Sequence, residues 1–421
     1  MTAVVSASED KSTPTGRSML EVWIITVGHA LTHWYPSTFY ILLPLIGVEL
    51  GLSYGQIGMI LTAQYAAGAI SNLPGGILVD SMSRKGVLMA ASLFWIGVPY
   101  FLMGFSDAYW VLLTCSALIG VGNNLWHPTA IPWLGRRYPE RKGLVMAYHG
   151  MGGNVGDALA PLAAGALLTT FAWMTWRDVV FLNIAPGIIM AVAILWYLGK
   201  ITTEPKPVEG AAKQRPQQKN LREVLAALPD LFRNKTLVFL SCSSAFRSMT
   251  QNGIMAFLPL YLAKELGYNP LWVGVCMFLL QAAGFVAAPI AGHMSDKVGR
   301  RSIMVSSMAM SAVVLVMMAV AGQSLAFVAL IAFLGFFLFA IRAVLQAWVL
   351  DAAPKNMGGS AIGFLFATQA IGGAIGPFVS GLLADAYGIV TVFYFLAFTI
   401  VIANLFVFFT PEKDEPKAQA A

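Results

Sequence analysis

GILVDSMSRK at residues 76–85 and GHMSDKVGRR at residues 292–301 are one short passage written twice. Gly76, Asp80, Arg84 and Lys85 in the first copy stand against Gly292, Asp296, Arg300 and Arg301 in the second. Working outward, Leu-Pro-Leu at 43–45 recurs at 258–260, Gly51 matches Gly267 and Gly58 matches Gly274, at an offset of 215 residues that becomes 216 after one insertion. Several features held at one spacing indicate a duplicated unit. A parallel repeat of six membrane helices is one way to build a solute carrier, with its site where the halves meet.

Composition supports a membrane setting. Of 421 residues, 58% are apolar and 11% charged, and the mean hydropathy is +0.72. Soluble domains carry roughly 25% charged residues. Apolar runs recur at 21–48, 54–79, 86–105, 108–134, 142–169, 178–199, 236–263, 271–294, 302–321, 325–351, 358–384 and 388–410. Each is long enough for a hydrocarbon core that needs about 20 residues. The fold class is therefore an all-α membrane protein of twelve spans in two pseudo-symmetric six-helix bundles, at 21–199 and 236–410.

Lysine and arginine set the orientation. With the N-terminus in the cytoplasm, 22 of the 26 basic residues fall on the inside, only Arg177 and Lys264 lie near the outside, and Arg247 and Arg342 lie within spans. Residues 1–20 and 411–421 then read as cytoplasmic tails of an inner-membrane protein. The linker at 200–235 holds four prolines and many charges. Its Leu221, Val224, Leu225, Leu228 and Leu231 are spaced for a helix lying on the membrane surface, with a flexible tether as the alternative. The net charge of +6 thus serves topology, and no nucleic-acid partner is implied. Cys115, Cys242 and Cys276 all lie in apolar runs and suggest packing residues, not a disulfide framework.

The duplicated passage resembles the loop that joins helices 2 and 3, and again 8 and 9, in the major facilitator superfamily. Ser83 stands where that pattern prefers glycine. The resemblance implies a gate at the cytoplasmic end, in which the arginines pair with acids of their own half. Asp351 is the candidate partner for Arg300 or Arg301. Within that superfamily, GLSYGQIGMI (51–60), VGNNLWHP (121–128) and GLVMAYHGMGGNVGDALAP (143–161) are similar to the fosmidomycin-resistance type of efflux transporter. That likeness covers the first five spans and implies proton-driven export of a small, often anionic or polar compound. His33 replaces an acid expected there, and Asp157 replaces a small residue.

Charges inside a bilayer cost several kcal/mol and mark function. At 1.5 Å per residue, Arg247 sits roughly 17 Å deep in the seventh span, with Arg342 at about the same depth in the tenth. His33 lies in the middle of the first, and the superfamily likeness puts these spans around a cavity. Arginine stays charged and grips carboxylate or phosphonate with two parallel hydrogen bonds, so the expected substrate is a small organic anion. Internal pairing of either arginine with Asp157 is the competing reading. His29 shares a helix face with His33, while Asn123, Asn124, Gln64, Gln251 and Gln346 add hydrogen-bonding capacity beside Asn154, Asn252 and Gln369. Asp157, His149 and His127 are the candidate proton carriers. Two imidazoles alone are too few for a metal site, so no metal and no cofactor are expected.

The expectation is a secondary active transporter that works by alternating access as a monomer, taking a small-molecule substrate and protons. Multidrug-type efflux and a sensor without flux are the alternatives. No nucleotide-binding motif supports ATP-driven pumping. No spacing of acid, base and nucleophile supports a membrane enzyme.

Overall fold

The structure is a computed structural model and describes residues 16–200, 231–322, 324–353 and 357–411. Residues 1–15 and 412–421 and all of the linker helix except Leu231 lie outside the described residues, while residues 16–20 of the expected tail already belong to the first helix. The rest is helical: α1 Gly16–Glu49, α2 Tyr54–Ser81, α3 Lys85–Met103, α4 Tyr109–Asn123, α5 Trp126–Arg137, α6 Lys142–Thr170, α7 Trp176–Leu198, α8 Lys235–Lys264, α9 Pro270–Val298, α10 Arg300–Ala321, α11 Leu325–Ala352, α12 Gly358–Tyr387 and α13 Val390–Phe408. The chain crosses a bilayer twelve times, in two six-helix halves.

One span departs from the sequence reading. The run at 108–134 is not a single helix but α4 followed by α5, broken at Asn124 and Leu125. Pro128 has no N–H to bond the Asn124 carbonyl four residues back, and its ring crowds that carbonyl. Ser92 Oγ donates to the nearby Gly122 carbonyl at 2.8 Å.

Helix starts follow from local chemistry. Ser53 and Gln56 form a capping box on α2, and Thr175 and Asp178 form one on α7. Asn269 caps α9, with Pro270 in its first turn. Gly51 and Gly267 turn the chain after α1 and α8 with φ of 60° and 65°, a conformation glycine adopts freely.

Among the described residues, seven helices are apolar and long enough to span by composition alone: α3, α7, α9, α10, α11, α12 and α13. The others include α1, α2, α5, α6 and α8, which carry His29 and His33, Gln64, His127, His149 and Asp157, and Arg247. Arg342 is the exception, carried on the strongly apolar α11. Large apolar side chains such as Ile70, Val320 and Phe398 are exposed, as a lipid-facing surface requires, and exposed Trp110, Trp173 and Trp196 lie near span ends.

The two halves touch through symmetry-related contacts. A Cβ on Gly58 would lie 2.3 Å from the Pro377 carbonyl oxygen, and one on Gly274 would lie 2.5 Å from that of Pro161. One on Gly165 would lie 2.2 Å from the Pro270 carbonyl, and one on Gly381 would lie 2.4 Å from that of Tyr54. Each pair maps onto the other at the 216-residue offset. Small residues here let helices α2 and α12, and α6 and α9, approach closely.

These contacts lie away from the Lys/Arg-rich loops. There Asp385 of α12 accepts from the Tyr54 and Gly55 amides of α2 at 2.8 and 2.7 Å. Its symmetry mate Thr169 accepts from the Leu271 amide at 3.0 Å. Lys264 lies 4.7 Å over the Tyr54 ring. Toward the basic end no hydrogen bond joins the halves among the described residues. A Cβ on Gly76 or Gly292 would meet nothing within 4 Å. Among the described residues, the bonds between the halves gather away from the basic loops.

Each bond to a charged acceptor contributes about 1.5–3 kcal/mol. Asp385→Ala should therefore loosen the bonded end by roughly tenfold or more. The measure is alkylation of Thr62→Cys by an impermeant maleimide, with Cys115, Cys242 and Cys276 replaced by serine. Thr62 itself donates to the Ala374 carbonyl across this seam at 2.6 Å. An unchanged labelling rate would show that Asp385 is not what holds this end shut.

Candidate functional site

The site begins on one face of α1. His29, His33 and Ser37 follow at intervals of four, which stacks them along the helix. Asp157 on α6 answers two of them: His33 Nδ1 lies 2.9 Å from Oδ2, and Ser37 Oγ donates to Oδ1 at 2.8 Å. Side-chain exposures of 21% for His33 and 23% for Asp157 leave the pair open to the interior. Asp157 therefore does not pair with Arg247 or Arg342, contrary to the competing sequence reading. Its partner is close by, within the same half.

His29 is only 4% exposed. Its Nδ1 donates to the His149 carbonyl at 2.5 Å, and its Nε2 lies 3.0 Å from His127 Nε2. The His149 ring stacks on His29 with centroids 3.8 Å apart, and its Nε2 accepts from Trp126 Nε1 at 3.3 Å. Four histidines from three helices thus form one cluster. The expectation of His29 as an independent substrate contact is corrected: its ring is enclosed by the other imidazoles.

Across the interior, Arg342 on α11 is exposed, yet near enough to His127 and Arg247 for its charge to act on both. Its charge thus reaches a histidine of the first half and a buried arginine of the second. His127 and Arg342 are themselves related by the 215-residue offset, the same that relates Gly120 to Gly335. No hydrogen bond or ion pair engages Arg342 among the described residues. Arg247 on α8 is 2% exposed; its Nη2 donates to Gln251 Oε1 at 2.8 Å and to the Leu338 carbonyl at 3.4 Å, and its Nε has no partner. Two permanent charges thus act on each other with no ion pair to a carboxylate among the described residues. Arg247 supports this arrangement from inside the helix packing instead of lining the open wall.

The remaining candidates divide. Gln64, 7% exposed, accepts from Ser116 at 3.4 Å and belongs to the seam between α2 and α4. Asn124 also lies in that seam, its Nδ2 2.6 Å from where a Gly68 Cβ would be. Their expected place on the substrate wall is corrected; an amide facing a neighbouring helix looks the same in sequence as one facing a cavity. Asn123 and Gln346 are half-buried.

Sequence reasoning missed Ser37, Trp126, Tyr40, Tyr65 and Ser248. Tyr40 meets the Tyr65 hydroxyl, Tyr65 donates to Asn252 at 2.9 Å, and Asn252 donates to Ser248 at 3.1 Å, which carries a polar path from α1 through α2 to α8. Extending the helical spacing of His29 and His33 would have reached Ser37 and Tyr40.

At the basic end, Arg300 Nε donates to Asp351 Oδ2 at 2.6 Å and its Nη1 lies 3.5 Å from Asp296. Arg301 donates to the Thr410 carbonyl at 2.7 Å. Lys85 donates to the Val79 carbonyl, and Arg84 precedes α3 as its N-cap residue. The Asp80 side chain lies outside the description.

A sequence profile described as Major Facilitator Superfamily matches residues 22–287 and again 240–421. The chain belongs to the Major Facilitator Superfamily. It is a membrane transporter and not an enzyme. The phosphoglycerate transporter protein of Salmonella typhimurium is 23% identical over 404 residues, covering 91% of this chain and 86% of that protein. The hexuronate transporter of Bacillus subtilis is 27% identical over 373 residues, 84% of each chain. The fosmidomycin resistance protein of Escherichia coli is 24% identical over 389 residues, 91% of each. Among solved structures, a bacterial homolog of the human lysosomal transporter Spinster shares the fold with a TM-score of 0.80 and 16% identity, covering 94% of this chain and 98% of that one.

Proposed function

We propose that the protein moves a small organic anion across the inner membrane by alternating access, coupled to protons. One observation carries this reading: the charge of Arg342 acts on buried Arg247, with no counter-anion among the described residues. A desolvated charge without a partner is costly. A carboxylate or phosphate arriving from solution offsets that cost, so the site prefers anions. Relatives named for phosphoglycerate and hexuronate transport support the same class.

The loops rich in lysine and arginine point to the cytoplasm. On that reading both termini are cytoplasmic and the arrangement described is open inward. Closing it would bring the Gly76 and Gly292 ends together and break the Asp385 contacts. Asp296, Arg300, Arg301 and Asp351, with Asp80, Arg84 and Lys85, would form the inner gate.

Proton coupling is assigned to Asp157, His149 and His127, with His33 as the partner of Asp157. An anion held between Arg342 and His127 draws a proton toward the adjoining imidazoles and carboxylate. The proton and the anion then cross together, as a monomer suffices to carry them. Efflux of small polar compounds is the second reading, favoured by similarity to the fosmidomycin resistance protein over 91% of the chain.

The test is uptake of radiolabelled phosphoglycerate and glucuronate into proteoliposomes with and without an imposed pH gradient. Accumulation that follows the gradient is expected. Binding without any flux would favour a sensor.

A further inference from the structure

The histidine cluster holds more than proton carriage needs. One nitrogen each from His29, His33 and His127 lie within 4.8 Å of one another. The outer nitrogens of two of these rings are already engaged. His29 Nδ1 donates to the His149 carbonyl at 2.5 Å, and His33 Nδ1 donates to Asp157 at 2.9 Å. Their Nε2 atoms are therefore the ones left to act as ligands. Metal-binding histidines are held in this way, with the second nitrogen donating to a carbonyl or a carboxylate.

Spacing agrees. Nitrogens at about 2.0–2.1 Å from a tetrahedral zinc ion lie roughly 3.3 Å apart. The His29–His127 pair already stands at 3.0 Å. The third nitrogen would close in by up to about 1.5 Å on binding. Gly153 keeps the approach clear, since a Cβ there would lie 2.8 Å from His29 Cε1 and 3.1 Å from His33 Nε2. A purely hydrogen-bonded stack explains the His29–His127 contact, but it gives His33 Nε2 no partner among the described residues.

We propose that His29, His33 and His127 bind one divalent transition-metal ion of the zinc class, with Asp157 and the His149 carbonyl orienting the rings. Imidazole suits such ions. Arg342 opposes the cation and the Asp157 carboxylate offsets it. Three protein ligands leave one position open. A carboxylate or phosphate from solution would fill it.

The experiment is titration of the full-length, tag-free protein in detergent, stripped with chelator, using Co2+ followed by its visible spectrum and Zn2+ as competitor. One tetrahedral Co2+ per chain, displaced by Zn2+, is expected. His33→Ala and His127→Ala should each weaken binding at least 100-fold, and Asp157→Asn about 10- to 100-fold. Gly153→Ala should weaken it while leaving all ligands in place. His293→Ala, an exposed histidine on α9, should change nothing. Monodisperse elution of each metal-free variant checks its fold, and His33→Gln replaces any alanine variant that aggregates. Absence of stoichiometric binding overturns the proposal, as does equal binding by the His33 and His127 variants. No flux is read, so this result is independent of the anion-transport reading.

Discussion

Arg342→Ala is expected to abolish anion binding and flux while leaving a folded protein in the membrane. The guanidinium is exposed and engages no other group among the described residues, so its removal breaks no internal bond. Truncating one partner of a desolvated charge pair costs about 2–5 kcal/mol. That is a loss of at least 30-fold in affinity, at 1.4 kcal/mol per factor of ten. Arg342→Lys should recover only part, because a point charge lacks the planar fork. Equilibrium binding of the labelled anion to purified variants measures this. Arg247→Ala should also lose binding, but with lower stability, because its guanidinium donates to Gln251 and the Leu338 carbonyl within the packing. Retained affinity in both would remove the arginines from the site.

Asp157→Asn is the second large effect. The carboxylate accepts from both His33 and Ser37. The amide keeps the size but loses the charge, and its NH2 group must face either His33 Nδ1 or Ser37 Oγ, which then turns acceptor. A bond to a charged group is worth about 1.5–3 kcal/mol, so the proton site is expected to weaken roughly 10- to 100-fold. Accumulation driven by a pH gradient should collapse, while exchange of labelled for unlabelled anion continues. Asp157→Asn with an unchanged pH dependence would take the carboxylate out of the coupling path.

The architecture was readable because membranes impose strong rules. Span length, basic loops and the duplicated passage at 76–85 and 292–301 are one-dimensional signals. The symmetry-related close contacts of Gly58 with Pro377 and Gly274 with Pro161 grew from glycines already matched in sequence. The break in the fourth span needed attention to Pro128 and the carbonyl of Asn124, which apolar periodicity does not register.

The site was legible only in part. The residue types and depths of His33, Arg342 and Arg247 placed them near one level. Which polar side chain turns to the axis depends on helix rotation, so Gln64 and Asn124 were misplaced into the cavity. The cluster of His29, His33, His127 and His149 required α1, α5 and α6 to be packed together. Neither its His–His contacts nor the His33–Asp157 bond has a fixed spacing in sequence. The offset linking His127 to Arg342 was present all along, but unlike residues at matched positions do not show as a repeat.

The most direct test compares counterflow of small carboxylates and phosphate esters with that of neutral solutes of the same size, in proteoliposomes without a gradient. The interior described here predicts exchange of anions only, lost in Arg342→Ala. Equal exchange of neutral solutes, or anion exchange that survives without Arg342, would contradict it.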